Sequence, residues 1–215
     1  MYSELMKQYE ELTDEEKNAL LVYKALGALI NDLDGEPNIS EYFVRYKKLY
    51  SSPQNLLIRN TIFKNIDFTN VDTFRKSLEV IKGILDEAIT KIVTPRDMHV
   101  YRCISSNKNI TGIAKSECIS TSLSFAETIK YANAGSHIVI YDIKIPAESR
   151  VGISPYSVLN DIENNRLILT AKRDQEEVIL NLNNYEFETI SESNNDGFEY
   201  REVIARDKEM NYARK

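Results

Sequence analysis

The chain has no tryptophan, and only two cysteines and two histidines among its 215 residues. Cys103 and Cys118 cannot build the framework of bridges that holds small secreted domains together. With His99 and His137 they form no cluster at metal-ligand spacing, so no metal is expected. Long apolar runs are also missing. No stretch approaches the roughly 18 apolar residues of a membrane helix, and no membrane partner is expected. The first 30 residues carry five glutamates, the wrong chemistry for a secretory signal. Seven glycines, five prolines and no low-complexity tract leave no room for a long disordered linker. Positive charge is in short supply as well: 33 Asp and Glu against 27 Lys and Arg give a net charge of −6. That balance argues against a protein that coats phosphates without regard to sequence, so the expected partner is a protein or a small ligand and not a nucleic acid.

What is present is ordered along the chain. About residues 1–95 read as mainly helical and about 96–215 as mainly β, an α+β arrangement without βαβ alternation. Thr13 with Glu16 makes a capping box, followed by an apolar stripe of Leu20, Tyr23, Leu26, Ile30 and Leu33 that Gly35 and Pro37 end. A second helix is predicted from Ser40 through Tyr50. A third begins near Asp72, with Phe74, Leu78, Ile81, Leu85, Ala88 and Ile92 on one face until Thr94 and Pro95. Strands are predicted at 98–104, 118–123, 137–145, 166–171, 176–181, 185–190 and 198–205. No repeat is visible. The length suits a single domain over 1–215, with 53–71 as the best candidate for a junction between its helical and sheet parts.

The glycine-rich dinucleotide fingerprint, the phosphate-binding GxxxxGK, the GxSxG elbow and HExxH are all absent. Three features remain, in order: Arg102 inside a strand, the triplet Ser120-Thr121-Ser122, and Gln175-Glu176-Glu177 opening a strand. Each is ordinary by itself. An arginine in a strand commonly lies at an edge or in an ion pair, a Ser-Thr-Ser triplet is common strand filler, and paired acids often mark a solvated strand end. On three strands of one sheet they form a polar floor, and burying such groups is costly unless they are paired or serve a ligand.

This order, with its neighbouring residues, resembles the Arg-Ser-Glu class of mono-ADP-ribosyltransferases, both the clostridial Rho-modifying exoenzymes and the enzymes of T-even phages. The likeness spans most of the chain. LTDEEKNALLVYKALGALINDL looks like the family's opening helix, and LDEAITKIVTPRDMHVYRC like the segment that delivers the first motif arginine. IKYANAG and IVIYDIKIPAESRVGIS look like the helix and strand after the triplet, and EEVILNLNNYEFETI like the catalytic strand and its successor. The resemblance implies an N-terminal helical lobe packed on a mixed, largely antiparallel β-sandwich core, NAD as cosubstrate, and transfer of ADP-ribose to a target protein. The partner classes it suggests are a small GTPase or a phage-host cytosolic protein, modified by a monomeric enzyme that is either a secreted or delivered effector or an intracellular phage-type enzyme.

The roles implied have physical sense. Arg102 would pair with the NAD pyrophosphate. Glu177 would hold the ribose 2′-hydroxyl and stabilise the positive charge that develops as nicotinamide leaves. Ser120 would hold that carboxylate, Thr121 and Ser122 would shape the nicotinamide side, and Tyr131 would stack on the nicotinamide ring, with packing of its ring on the sheet as the alternative. Cys103 stands where the family usually has glycine and would offer its backbone to the nicotinamide amide. Gln175 lies where the family encodes its acceptor, and an amide there points to asparagine or glutamine over arginine; a shift by one residue would make Glu176 the functional acid. The stretch 154–174 departs from the compact turn of the Rho-modifying toxins, leaving Tyr156 as the candidate aromatic for target recognition. An NAD glycohydrolase with water as acceptor, and a non-catalytic protein-binding domain of the same fold, are the competing readings.

Overall fold

The capping box at Thr13 forms as its residues dictate: the Thr13 hydroxyl accepts from the Glu16 N–H at 3.3 Å and the Glu16 carboxylate accepts from the Thr13 N–H at 2.9 Å. It opens a helix in a computed structural model that describes residues 1–33, 38–107, 110–113, 117–133, 137–161, 166–171, 176–195 and 197–208. The helices are α1 (Tyr2–Glu11), α2 (Asp14–Asp32), α3 (Ile39–Ser51), α4 (Leu56–Thr61), α5 (Val71–Lys91) and α6 (Phe125–Ile129). The strands are β1 (Met98–Ser106), β2 (Cys118–Ser122), β3 (His137–Ile145), β4 (Gly152–Ser154), β5 (Tyr156–Asp161), β6 (Arg166–Ala171), β7 (Glu177–Asn181), β8 (Tyr185–Asn195) and β9 (Phe198–Asp207).

The expected α+β class is borne out. Seven strands form a mixed sheet in the order β4-β7-β2-β1-β3-β9-β8, in which β3 and β9 run parallel and β1–β2, β1–β3, β2–β7 and β8–β9 are antiparallel. The strands β5 and β6 make a separate two-stranded sheet. Among the described residues, no helix is long and apolar enough to cross a membrane.

The chain divides into two compact units, neither continuous in sequence. The first joins residues 1–11, 89–153 and 173–215 and contains α1 and nearly all of the large sheet. Its core is the aliphatic face of the sheet, where Val100, Ile119, Val139, Ile143, Val178, Leu180 and Ala205 are buried. The helix α1 is fastened to this unit by Gln8, whose side-chain amide donates to the Val93 carbonyl and accepts from the Val93 N–H, both at 2.9 Å. A buried ion pair closes the unit: Arg150 Nε and Nη2 donate to the two oxygens of Asp207 at 3.0 and 2.8 Å.

The second unit joins residues 12–88 and 154–172. Its core is aromatic, with Phe63 edge-on to Phe68 at 5.5 Å and to Tyr46 at 6.1 Å, and Phe68 beside Phe74 at 5.3 Å. The buried amide of Asn55 donates to the Leu49 carbonyl and accepts from the Leu167 N–H, tying the β5–β6 hairpin to the helices. The segment 53–71, expected as a junction, lies inside this unit. The stretch 154–174, expected to depart from the compact turn of the Rho-modifying toxins and to hold a strand at 166–171, contains that hairpin, and Tyr156 begins its first strand.

Candidate active site

The register brings two serines of the triplet and the glutamate together. Ser122 pairs with Glu177 across β2 and β7, and Tyr101 pairs with Ser122 across β1 and β2. Cross-strand partners share a face, so Glu177, Ser122 and Tyr101 form one row, and Ser120 stands on that face diagonal to Glu177. Glu177 is 5% exposed, a carboxylate held within the sheet unit. Alternation turns Thr121 to the opposite face, where its buried hydroxyl donates to the Val178 carbonyl at 2.7 Å. Thr121 is thereby a tie between β2 and β7, a role that its place in the triplet does not reveal. The Ser122 hydroxyl accepts from the Ser124 N–H at 3.0 Å and starts the turn into α6.

The junction between β1 and β2 is narrow. The two strands share the single registered pair Tyr101 and Ser122, whereas β1 and β3 are registered along the whole of β1. Arg102 occupies this junction: its Nη1 donates to the Ser120 carbonyl at 2.7 Å, where a continuous ladder would supply a strand N–H. Arg102 stands on β1 and Glu177 on β7, with β2 between them, and alternation places Arg102 on the face opposite Tyr101, Ser122 and Glu177, at the narrow β1–β2 junction. Among the described residues no group of three or more His, Cys, Asp and Glu side chains could hold a metal ion.

The backbone just before Glu177 is unusual. Glu176 has φ 41, in the left-handed region that residues other than glycine enter at a cost of about 1 kcal/mol. Its carbonyl accepts from the Leu123 N–H at 3.1 Å, which holds Glu176 against the residue that follows the serine triplet. Of the two adjacent acids, Glu177 is in the strand and buried, whereas Glu176 precedes the strand. Gln175 lies outside the described residues.

Other expected residues fall nearby. Cys103 is half-buried on β1. Burial pushes its thiol up more than the Ser105 hydroxyl and the Arg102 charge lower it, the opposite of an activated thiolate. Tyr131 lies beyond the end of α6, in the turn that follows, and is 61% exposed. At the other end of the row, Asp142 pairs with Tyr101 in register. It lies 2.7 Å from His99 Nδ1 and accepts from the Tyr200 hydroxyl at 2.6 Å.

The motif reading missed α1. Its Tyr2 phenol is pushed up to about 12, by burial first and then by the carboxylates of Glu177 and Glu176. No spacing in the sequence marks Tyr2 as a neighbour of these acids. Because its folded pKa exceeds the ordinary 10, its contribution to stability is present at neutral pH and is lost as pH rises from about 10 towards about 12. Unfolding midpoints of the wild type should therefore fall more steeply over that window than those of Tyr2→Phe. Tyrosinate absorbance, unobscured by tryptophan, should follow the same difference.

No family model matches the chain, and no curated protein sequence matches it. Solved structures do. C3stau2 from S. aureus, in a structure with NAD, superposes with a TM-score of 0.54 at 17% identity, covering 96% of this chain and 92% of that one. The Clostridium limosum C3 exoenzyme gives 0.50 at 19% identity, covering 96% and 95%. Plx2a, an ADP-ribosyltransferase toxin from Paenibacillus larvae, gives 0.50 at 17% identity, covering 95% and 92%. Likeness at these identities is a statement about architecture: the chain has the α+β fold of the C3-type mono-ADP-ribosyltransferases.

Proposed function

We propose that the protein is an NAD-dependent mono-ADP-ribosyltransferase that modifies an asparagine or glutamine of a target protein. The observation that carries this reading is the row of Glu177, Ser122 and Tyr101, with Ser120 beside it and Arg102 fastened across the β1–β2 junction. A guanidinium on β1 and a buried carboxylate on β7, with β2 between them, match the two needs of NAD, an anchor for its pyrophosphate and a stabiliser for charge at its ribose. The solved structure of the C3stau2 fold with NAD supports the same choice of substrate.

In this mechanism Arg102 holds the pyrophosphate and so places the nicotinamide ribose. The Glu177 carboxylate accepts a hydrogen bond from the ribose 2′-hydroxyl and lowers the energy of the positive charge that grows at C1′ as the bond to nicotinamide breaks. Ser120 and Ser122 line the face on which Glu177 stands and restrict its rotamers. Nicotinamide leaves with the electron pair of the broken bond; the acceptor nitrogen forms the new bond to C1′ and releases its proton to solvent. The amide of Gln175 can donate to and accept from an acceptor amide, which supports asparagine or glutamine as the modified residue.

The test follows nicotinamide release and transfer of label from NAD to the proteins of a cell lysate. Wild type is expected to do both. Gln175→Ala is expected to keep nicotinamide release within about threefold and to lose at least about tenfold of the protein label, as expected for a residue that orients the acceptor alone. Nicotinamide release with no protein labelled would identify water as the acceptor and a glycohydrolase in place of a transferase. Neither product would leave a non-catalytic protein-binding domain of this fold.

A further inference from the structure

The hydroxyl of Ser105, near the end of β1, is placed between two backbone groups of the turn that follows α6. It donates to the Tyr131 carbonyl at 3.4 Å and accepts from the Asn133 N–H at 3.1 Å. A hydroxyl is the smallest side-chain group able to do both at once. The same helix is attached to β1 further back. Thr128, buried in α6, donates to the Ser124 carbonyl at 3.0 Å and reaches the Tyr101 carbonyl at 3.5 Å, and the Phe125 ring stands edge-on to the Tyr101 ring at 5.5 Å. Tyr101, Cys103 and Ser105 alternate onto one face of β1. The helix and its turn are therefore fastened at both ends of a short stretch of strand, and Arg102 lies between the two fastenings.

We infer that Ser105 is a positioning residue, a latch that ties the Tyr131–Asn133 turn to β1 and so sets where the Tyr131 ring stands beside the strand that carries Arg102. Tyr131 is exposed. An exposed aromatic ring on a turn latched to β1, the strand that carries Arg102, suits a ligand that has an aromatic ring at one end and phosphates further along. The latch rests on the NAD reading for its functional consequence and on the two hydrogen bonds alone for its existence.

The experiment separates these. Amide hydrogen exchange is measured on wild type, Ser105→Ala and Ser105→Thr, together with KM and kcat for nicotinamide release and NAD affinity by calorimetry. Loss of two neutral hydrogen bonds at the edge of the fold is expected to speed exchange in residues 128–133 roughly fivefold in Ser105→Ala, with the strands unchanged. KM for NAD is expected to rise by about fivefold with kcat within twofold, and Ser105→Thr, which keeps the hydroxyl, to restore both. The variant Tyr131→Ala should raise KM as well, and the pair Ser105→Ala with Tyr131→Ala should raise it no further, because the latch acts through that ring. Unchanged exchange in Ser105→Ala would overturn the latch. Faster exchange with unchanged KM, in an enzyme whose Glu177→Ala variant is inactive, would overturn the positioning role. Were wild type to release no nicotinamide, the enzymatic reading would fall, while exchange and NAD affinity would still decide the latch.

Discussion

Glu177→Gln is expected to lower nicotinamide release from NAD by about 10²–10³-fold in kcat while leaving the fold intact. The substitution keeps the shape and volume of the side chain and its place opposite Ser122, and removes only the negative charge. Such a charge is most effective where water is excluded, and Glu177 is among the buried residues of the sheet. An amide there can still accept a hydrogen bond from the ribose, so substrate binding should change little and the loss should appear in kcat. Thermal unfolding of the variant should stay within a few degrees of wild type. Turnover within about threefold of wild type would remove Glu177 from the mechanism. The result distinguishes it from Arg102, whose replacement by lysine should remove the fork geometry proposed to grip a pyrophosphate and be felt first in KM.

The largest effect on stability is expected at the other polar feature buried in the sheet unit. Asp207 is almost fully buried, its side chain 1% exposed and that of Arg150 14%. Besides the two guanidinium contacts, Asp207 Oδ2 lies 3.4 Å from the Arg150 N–H, and the Tyr185 hydroxyl donates to the Arg150 carbonyl. Asp207→Ala leaves a guanidinium in a protein interior without its counter-charge, a change that costs about 3–5 kcal/mol. For a chain of this size that lowers the midpoint of thermal unfolding by about 10 °C. Replacing both partners, Arg150→Met with Asp207→Leu, should recover most of the loss, because the expense lies in the stranded charge and not in the missing attraction. Equal destabilisation by the single and double variants would show that the pair itself supplies the stability.

These two residues also mark how far the sequence can be read. The capping box, the long amphipathic helix now seen as α5, and the strands at β1, β2, β3 and β7 were legible because each is written in local spacing: a cap three residues from its partner, an apolar stripe, an alternation. The helix α1 was not separated from α2, since nothing in MYSELMKQYEE states that it docks with a sheet formed much later in the chain. The insertion of β9 between β3 and β8, parallel to one and antiparallel to the other, was equally hidden, because pairing partners are chosen by packing across the whole unit. The placement of the β5–β6 hairpin with the helices, away from the other strands in the division of the chain, is of the same kind. The sequence suggested the site residues through family likeness and could not show their arrangement. It named the first serine as the partner of Glu177, whereas the register places Ser122 directly opposite and Ser120 diagonal. Nor could it anticipate the left-handed Glu176, since no local preference draws a glutamate into that region.

The discontinuity of the sheet unit also bears on the order in which activity can arise. The Thr121 hydroxyl reaches Val178 across 57 positions of chain, and Arg150 reaches Asp207 across an overlapping span, also of 57 positions. Each contact closes a long loop before it returns any free energy, so assembly of β2 with β7 and of β3 with β9 is slow relative to formation of the helical turns, whose backbone hydrogen bonds are local. During synthesis the arginine, the serines and the glutamate are all made before the strand that completes the sheet around them. An unfinished chain therefore carries the residues of the candidate site without the arrangement that the proposed reaction needs.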